Sequence, residues 1–308
     1  MKAFFPGRDT FGDMFRPNPD AGSPAEGDEP VPSDGFRATA LLDVRGLRIA
    51  RGARMDAPVL ATGISLSVAR GEVLGLVGGA GSGAAEVARA IAGRLPAPDR
   101  IVAGSILLDG TELAGITARA LDRLRGSTVA LVPADSLTRL TPHRALGRQL
   151  IRPLGREPGL SRAAATRRML ETLRRAGIQD PRLASTLLPG QFPRLTLRQV
   201  LIADAVSSGP KLLIVDEPPA PFEAASGAAS GAASGAALAA FYRSLRQEFS
   251  LAVILVSRDL AAVASSCGRV AVLAAGRIVE QGAMAEIVRA PQHPHTRLLL
   301  ENARSHRA

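Results

Sequence analysis

Eight residues concentrate the chemistry this sequence offers: Gly78-Gly79-Ala80-Gly81-Ser82-Gly83-Ala84-Ala85. They follow an apolar run, Val73 to Val77, and open a stretch with helical spacing, roughly Ala84 to Arg94. A glycine-rich turn between a strand and a helix lets backbone N–H groups converge on an anion, and the helix N-terminus adds a partial positive charge. The phosphate-binding form of such a turn is G-x-x-x-x-G-K-[ST]. Its lysine holds the β- and γ-phosphates and its hydroxyl holds Mg²⁺. Here those two positions are Ala84 and Ala85. The scaffold for a phosphate is present, and both side chains that would complete it are missing. The only lysines are Lys2 and Lys211, neither placed to substitute. Arg89 lies more than a helical turn beyond the loop and is expected to point elsewhere.

The elements around this loop alternate between strand and helix. Leu41 to Ile49 and Leu60 to Val68 read as strands, as do Val73 to Val77, Ser105 to Leu108 and Thr128 to Val132. Ser161 to Ala176 reads as an amphipathic helix: Ser161 can cap it, Ala165, Met169, Leu173 and Ala176 share a face, and Gly177 ends it. Leu212 to Val215, Leu251 to Val256 and Val270 to Leu273 are further strands. Apolar strands separated by helices imply an α/β fold with a buried, mainly parallel sheet.

Composition narrows the classes. The net charge is +10 and is carried almost wholly by scattered arginines. With no aromatic interleaving and no nucleic-acid module, it reads as biased arginine usage and not as a nucleic-acid surface. One cysteine, Cys267, excludes a disulfide framework and reads as a small buried apolar residue. His143, His293, His295 and His306 lack metal-ligand spacing. No apolar leader and no membrane-spanning run are expected. Residues 1–38, rich in Pro, Gly and Asp, read as a disordered tail. Ala224 to Ala237, with AASG three times, reads as a linker or a glycine-weakened helix start, and the residues from Gln292 read as a polar tail.

Taken in order, residues 40–300 resemble an ABC-transporter ATPase. GISLSVARGEVLGLVG is similar to that family's lead-in to its phosphate loop. GSILLDGTEL and LDRLRGSTVALVP are similar to the segments before its Q-loop, and LTRLTPHRALGRQL to the stretch that follows in peptide-importer members. KLLIVDEPPA resembles the Walker B strand, and LAVILVSRDLAAVASSCGRVAVLAAGRIVEQG the switch strand, helix and closing hairpin. PQHPHTRLLL resembles a tail motif of the oligopeptide, dipeptide and nickel importers.

The resemblance implies a P-loop NTPase fold. Its core sheet would be joined by an antiparallel β subdomain and a helical subdomain, roughly 137–207, that meets the permease. The ATP-binding domain would span 39–292, with a tail over 293–308. It implies ATP and Mg²⁺ as ligands, with Asp216 holding Mg²⁺ through water and Glu217 polarising the attacking water. It implies a second ATPase subunit, identical or not, transmembrane permease subunits, a peptide-binding protein indirectly, and a cytoplasmic place on the inner face of the membrane. Every departure falls on chemistry. Pro133 stands at the Q-loop Gln, Arg258 at the switch His and Glu223 at the D-loop Asp. Leu195-Thr196-Leu197-Arg198-Gln199 replaces the signature glycines, with its helix expected near Val200, and no aromatic stands where adenine would stack. Impaired or absent hydrolysis follows. The alternative is a non-catalytic scaffold or interaction protein that has kept the fold without transport.

Overall fold

The computed structural model describes residues 40–52, 54, 57–154, 160–216, 239–248 and 250–305. The tail over 1–38, the AASG segment, Glu217 and Glu223 lie outside the described residues.

In chain order the strands are β1 (Ala40–Arg51), β2 (Val59–Ala69), β3 (Val73–Val77), β4 (Asp99–Leu108), β5 (Thr111–Glu112), β6 (Val129–Val132), β7 (Leu212–Asp216), β8 (Ala252–Ser257), β9 (Arg269–Ala274) and β10 (Arg277–Ala283). They form two sheets. One is antiparallel, in the order β2-β1-β4-β5. The other has six strands in the order β10-β9-β3-β8-β7-β6. In the second sheet only the β9–β10 pairing is antiparallel. The expected α/β architecture with a mainly parallel sheet and a separate antiparallel sheet is what the chain adopts.

The apolar runs of β3, β7 and β8 are buried along their whole length because both faces of the parallel sheet are covered. Side chains alternate between the faces. Leu74, Leu76, Ile214 and Ile254 join one apolar cluster with Leu42, Leu47 and Ile49 of β1 and with Val87 and Ile91. These last two lie on helix α1 (Ala84–Ile91). Val73, Val77, Leu213, Val215 and Val253 join a second cluster with Phe241, Tyr242 and Leu260. Helix α1 is thus clamped between the two sheets, directly behind the glycine loop. Cys267 sits in the second cluster as a small core residue, and burial pushes its thiol pKa up.

A third cluster is purely helical. It unites Leu146, Leu150, Met169, Leu173, Leu197 and Val200, and it falls inside the stretch read as helical, 137–207. The helix over Arg162–Arg175 is capped as its sequence suggests: the Ser161 hydroxyl accepts a hydrogen bond from the Ala164 N–H at 3.2 Å.

The residues from Gln292 depart from expectation. They form a helix, Pro294–Ser305, not a polar tail. Glu280, in the middle of β10, accepts hydrogen bonds from the backbone N–H groups of Gln292 at 2.8 Å and His293 at 3.0 Å. The helix buries Thr296, Leu299, Leu300 and Ala303. The anchoring carboxylate comes from another element, and the two prolines at its start look like breakers when read locally. The spacing 296, 299, 300, 303 is the signal that could have found it.

Candidate phosphate-binding site

The register of the parallel strands decides what meets the glycine loop. Val77 of β3 pairs with Ser257 of β8, Val256 of β8 with Asp216 of β7, and Val215 of β7 with Val132 of β6. The carboxyl ends of all four strands are therefore level. The residues just past them converge: the loop from Gly78, then Arg258, Asp216, and Pro133 with Ala134. Ligands of open α/β sheets bind in this crevice. A cavity of roughly 230 Å³ lies there. Its walls are Gly78, Gly79, Ala80, Gly81, Ser82 and Gly83 of the loop and Ala84, Ala85, Glu86 and Arg89 of α1, completed by Ala134, Asp216, Ser257 and Arg258. That volume is below the roughly 300–1,000 Å³ of ordinary small-molecule pockets, so this part of the site suits phosphates and not a whole nucleotide.

Two of the loop glycines are sterically required. A Cβ on Gly78 would stand 2.7 Å from the Leu273 carbonyl oxygen and closer still to the Ser82 hydroxyl. Gly83 has φ +89°, and a Cβ there would stand 2.5 Å from the Leu60 carbonyl oxygen. The loop is tied at both ends: the Gly78 N–H donates to the Ser257 carbonyl at 3.0 Å, and the Gly276 N–H donates to the Ser82 carbonyl at 3.1 Å. The shape of the glycine turn is thus fixed at the carboxyl end of β3.

Ala84 and Ala85 occupy the first turn of α1 and belong to the wall of the cavity. Neither side chain can donate a hydrogen bond or hold a metal. Lys211 cannot compensate: it sits just before β7, at the opposite end of the sheet, and pairs with Asp109.

Arg89 corrects the sequence reading. It does not point away from the loop; it lines the same cavity. Its Nη2 lies 3.7 Å from Asp216 Oδ2, and its Nη1 lies 3.7 Å from Glu86 Oε1. The reason is helical geometry. Arg89 stands four residues after Ala85, on the same face, and a helical side chain leans toward the N-terminus of its helix. The bare methyl of Ala85 leaves the guanidinium room to reach back over that face.

Arg198 is the residue whose role sequence reasoning missed. It lies on α6 (Arg194–Val206), the sixth α-helix among the described residues, after α1, the short helix Ala118–Leu124 and those over Leu146–Leu154, Arg162–Arg175 and Pro181–Thr186. The residues at the signature position are thus helical from the start; the helix begins at Arg194, not near Val200. Arg198 is buried. It donates to the backbone carbonyls of Pro133 at 2.8 Å and Ala134 at 3.1 Å, to the Ser136 hydroxyl, and to the backbone carbonyl of Asp216. It holds the ends of β6 and β7 together behind the cavity. The available signal was its place on one buried stripe with Ile202 and Val206, at steps of four residues.

The donor set can be tested against the ligands that the resemblance implies. A phosphate fits the glycine cradle. Mg²⁺ does not fit: Ala85 offers no hydroxyl, and the one described carboxylate expected to serve the metal, Asp216, lies at ion-pair distance from the Arg89 guanidinium.

Residues 61–220 match the protein-family model described as ABC transporter. The chain is 35% identical over 263 residues to the dipeptide transport ATP-binding protein DppD of Haemophilus influenzae, covering 85% of this chain and 77% of that one. It is 31% identical over 262 residues to the oligopeptide transport ATP-binding protein OppD of Bacillus subtilis, covering 85% and 71%. Among solved structures, cbiO1 of Clostridium perfringens, part of the ABC transporter complex cbiONQ, superposes with a TM-score of 0.66 at 22% identity, covering 85% of this chain and 98% of that one, a likeness of fold. On the matched model, these relatives and the shared fold, the chain belongs to the ABC transporter family.

Proposed function

We propose that this chain is the ATP-binding subunit of a peptide-importing ABC transporter, and that it binds Mg-ATP weakly and hydrolyses it negligibly. The transport role rests on relatives named for dipeptide and oligopeptide transport. The chain would sit at the cytoplasmic face of the membrane against permease subunits and pair with a second ATPase subunit. A peptide-binding protein would feed the same transporter. No described helix is long and apolar enough to cross a membrane; in this reading the permease subunits supply the span.

The impaired chemistry rests on one observation: the wall of the cavity at the glycine loop has alanines, Ala84 and Ala85, where the family's lysine and hydroxyl would stand. A charge-assisted hydrogen bond contributes ~1.5–3 kcal/mol. Losing the lysine and the metal-binding hydroxyl together costs roughly 3–6 kcal/mol, or two to four decades of affinity. Pro133 and Arg258 stand where the family would place a glutamine and a histidine, so two further transition-state groups are also missing, each worth on the order of 10²–10³ in rate.

The test compares the purified chain with the Haemophilus influenzae relative, measuring Mg-ATP binding by equilibrium dialysis and phosphate release. Binding weaker by at least about a hundredfold, with no phosphate release, is expected. Micromolar Mg-ATP affinity with turnover overturns the proposal. Deletion of the gene without effect on peptide uptake assigns the chain to scaffolding and overturns the transport role.

A further inference from the structure

Arg89 is more than a neighbour of the degraded loop. Among the described residues its side chain makes two ion pairs, each at 3.7 Å, and no hydrogen bond. Its side chain is 35% exposed and lines the cavity. A guanidinium carries five N–H donors in a planar fork that matches phosphate oxygens two at a time. At 3.7 Å the two carboxylates attract it without engaging those donors. Arg258 is a second arginine in the wall of the same cavity. Among the described lining residues the two arginines balance Asp216 and Glu86 in formal charge.

We infer that this cavity binds a polyphosphate chain without a metal ion, and that Arg89 replaces both the absent lysine and the absent Mg²⁺. The inference rests on the proposed nucleotide role and deepens it. The glycine cradle supplies backbone donors to one phosphate. Arg89 turns from Asp216 to the next, exchanging two ion pairs that lack hydrogen bonds for charge-assisted ones. Asp216 then serves as the holding partner that keeps Arg89 in the cavity when no anion is present, not as a metal ligand. A divalent cation entering beside Asp216 must displace Arg89, so it competes with the residue that binds the phosphates. Mg²⁺ therefore weakens binding here or leaves it unchanged.

The experiment is isothermal titration calorimetry of the full chain with ATP and with inorganic tripolyphosphate, each in excess EDTA and in excess Mg²⁺. Both ligands are expected to bind in EDTA, with affinity equal to or above that in Mg²⁺. Arg89→Ala is expected to lose about ten- to hundredfold in EDTA, the loss of one charge-assisted contact. Arg89→Lys, which keeps the charge and loses the fork, is expected to fall between. Thermal unfolding of both variants checks that they remain folded, and Arg89→Lys keeps the comparison if Arg89→Ala does not. Tenfold tighter binding in Mg²⁺ overturns the inference. So does unchanged affinity of both Arg89 variants, binding of ATP but not of tripolyphosphate, or no binding of either at millimolar concentration. These outcomes are separate from failure of the proposed function, which shows as micromolar Mg-ATP affinity with phosphate release by the unmodified chain.

Discussion

Arg198 donates a hydrogen bond to the backbone carbonyl of Asp216 from the far side of the strand end, while the Asp216 carboxylate faces Arg89 in the cavity. One residue is thus held through its main chain by one arginine and through its side chain by another. The first contact builds the wall of the site; the second sets the charge inside it.

Removing the first arginine should be costly. Arg198→Ala strips the donor from the carbonyls of Pro133, Ala134 and Asp216 and from the Ser136 hydroxyl, at a buried position. An orphaned buried acceptor costs roughly 1–3 kcal/mol, so a loss of about 3 kcal/mol or more is expected. Urea unfolding of the variant should show a lowered midpoint with an unchanged slope. A shift below about 1 kcal/mol would mean that water replaces these contacts.

Repair of the loop should restore binding and not turnover. In Ala84→Lys with Ala85→Ser, the glycines that shape the cradle remain in place. ATP affinity should rise about ten- to hundredfold on the strength of a new charge-assisted contact. Phosphate release should stay at background, because Pro133 and Arg258 are unchanged. Equilibrium dialysis and a phosphate-release assay on the same preparation separate the two effects; brisk hydrolysis would contradict the reading of Pro133 and Arg258.

Glu217 follows Asp216 directly in the chain. In the resemblance it orients the attacking water, so Glu217→Gln should stall any site that still works. With the adjacent loop disabled, peptide uptake should be unchanged in cells whose only copy carries the substitution. Expression matched by immunoblot is the control. A large loss of uptake at equal expression would show a working site.

Asp204, on the helix that carries Arg198, supplies a pH dependence. Burial raises its carboxyl from the ordinary 3.8 to about 6, with the charge of Arg168 opposing. A raised carboxyl means that the folded state binds the proton more tightly than the unfolded one. This group therefore costs nothing below pH 3.8, and its cost grows as pH rises to about 6 and is constant above. At 1.36 kcal/mol per pKa unit the full cost is about 3 kcal/mol. Asp204→Asn, uncharged throughout, should gain on the unmodified chain between these limits. Unfolding midpoints of both proteins across pH 4 to 7 provide the check, and parallel curves would refute the assignment.

Much of this protein was legible along the chain. The alternation of apolar strands with helices is a local pattern, and so are the glycine turn, the Ser161 cap and the loss of a lysine at Ala84. Each depends on residues within a few positions of one another, where backbone sterics and side-chain period decide the outcome. The strand register did something no local pattern could: it paired Val77 with Ser257 and Val256 with Asp216, bringing segments over a hundred residues apart to one cavity. Arg89 shows the difference most clearly. Its sequence distance from the loop suggested separation, but the backward lean of helical side chains and the small Ala85 return it to the site. Arg198 shows the same from the inside. An arginine on a buried stripe is a contradiction in sequence terms, and only the three strand-end carbonyls and the hydroxyl gathered around it make that position stable. Local chemistry determined which groups this chain lost; the packing of distant segments decided which group stands in their place.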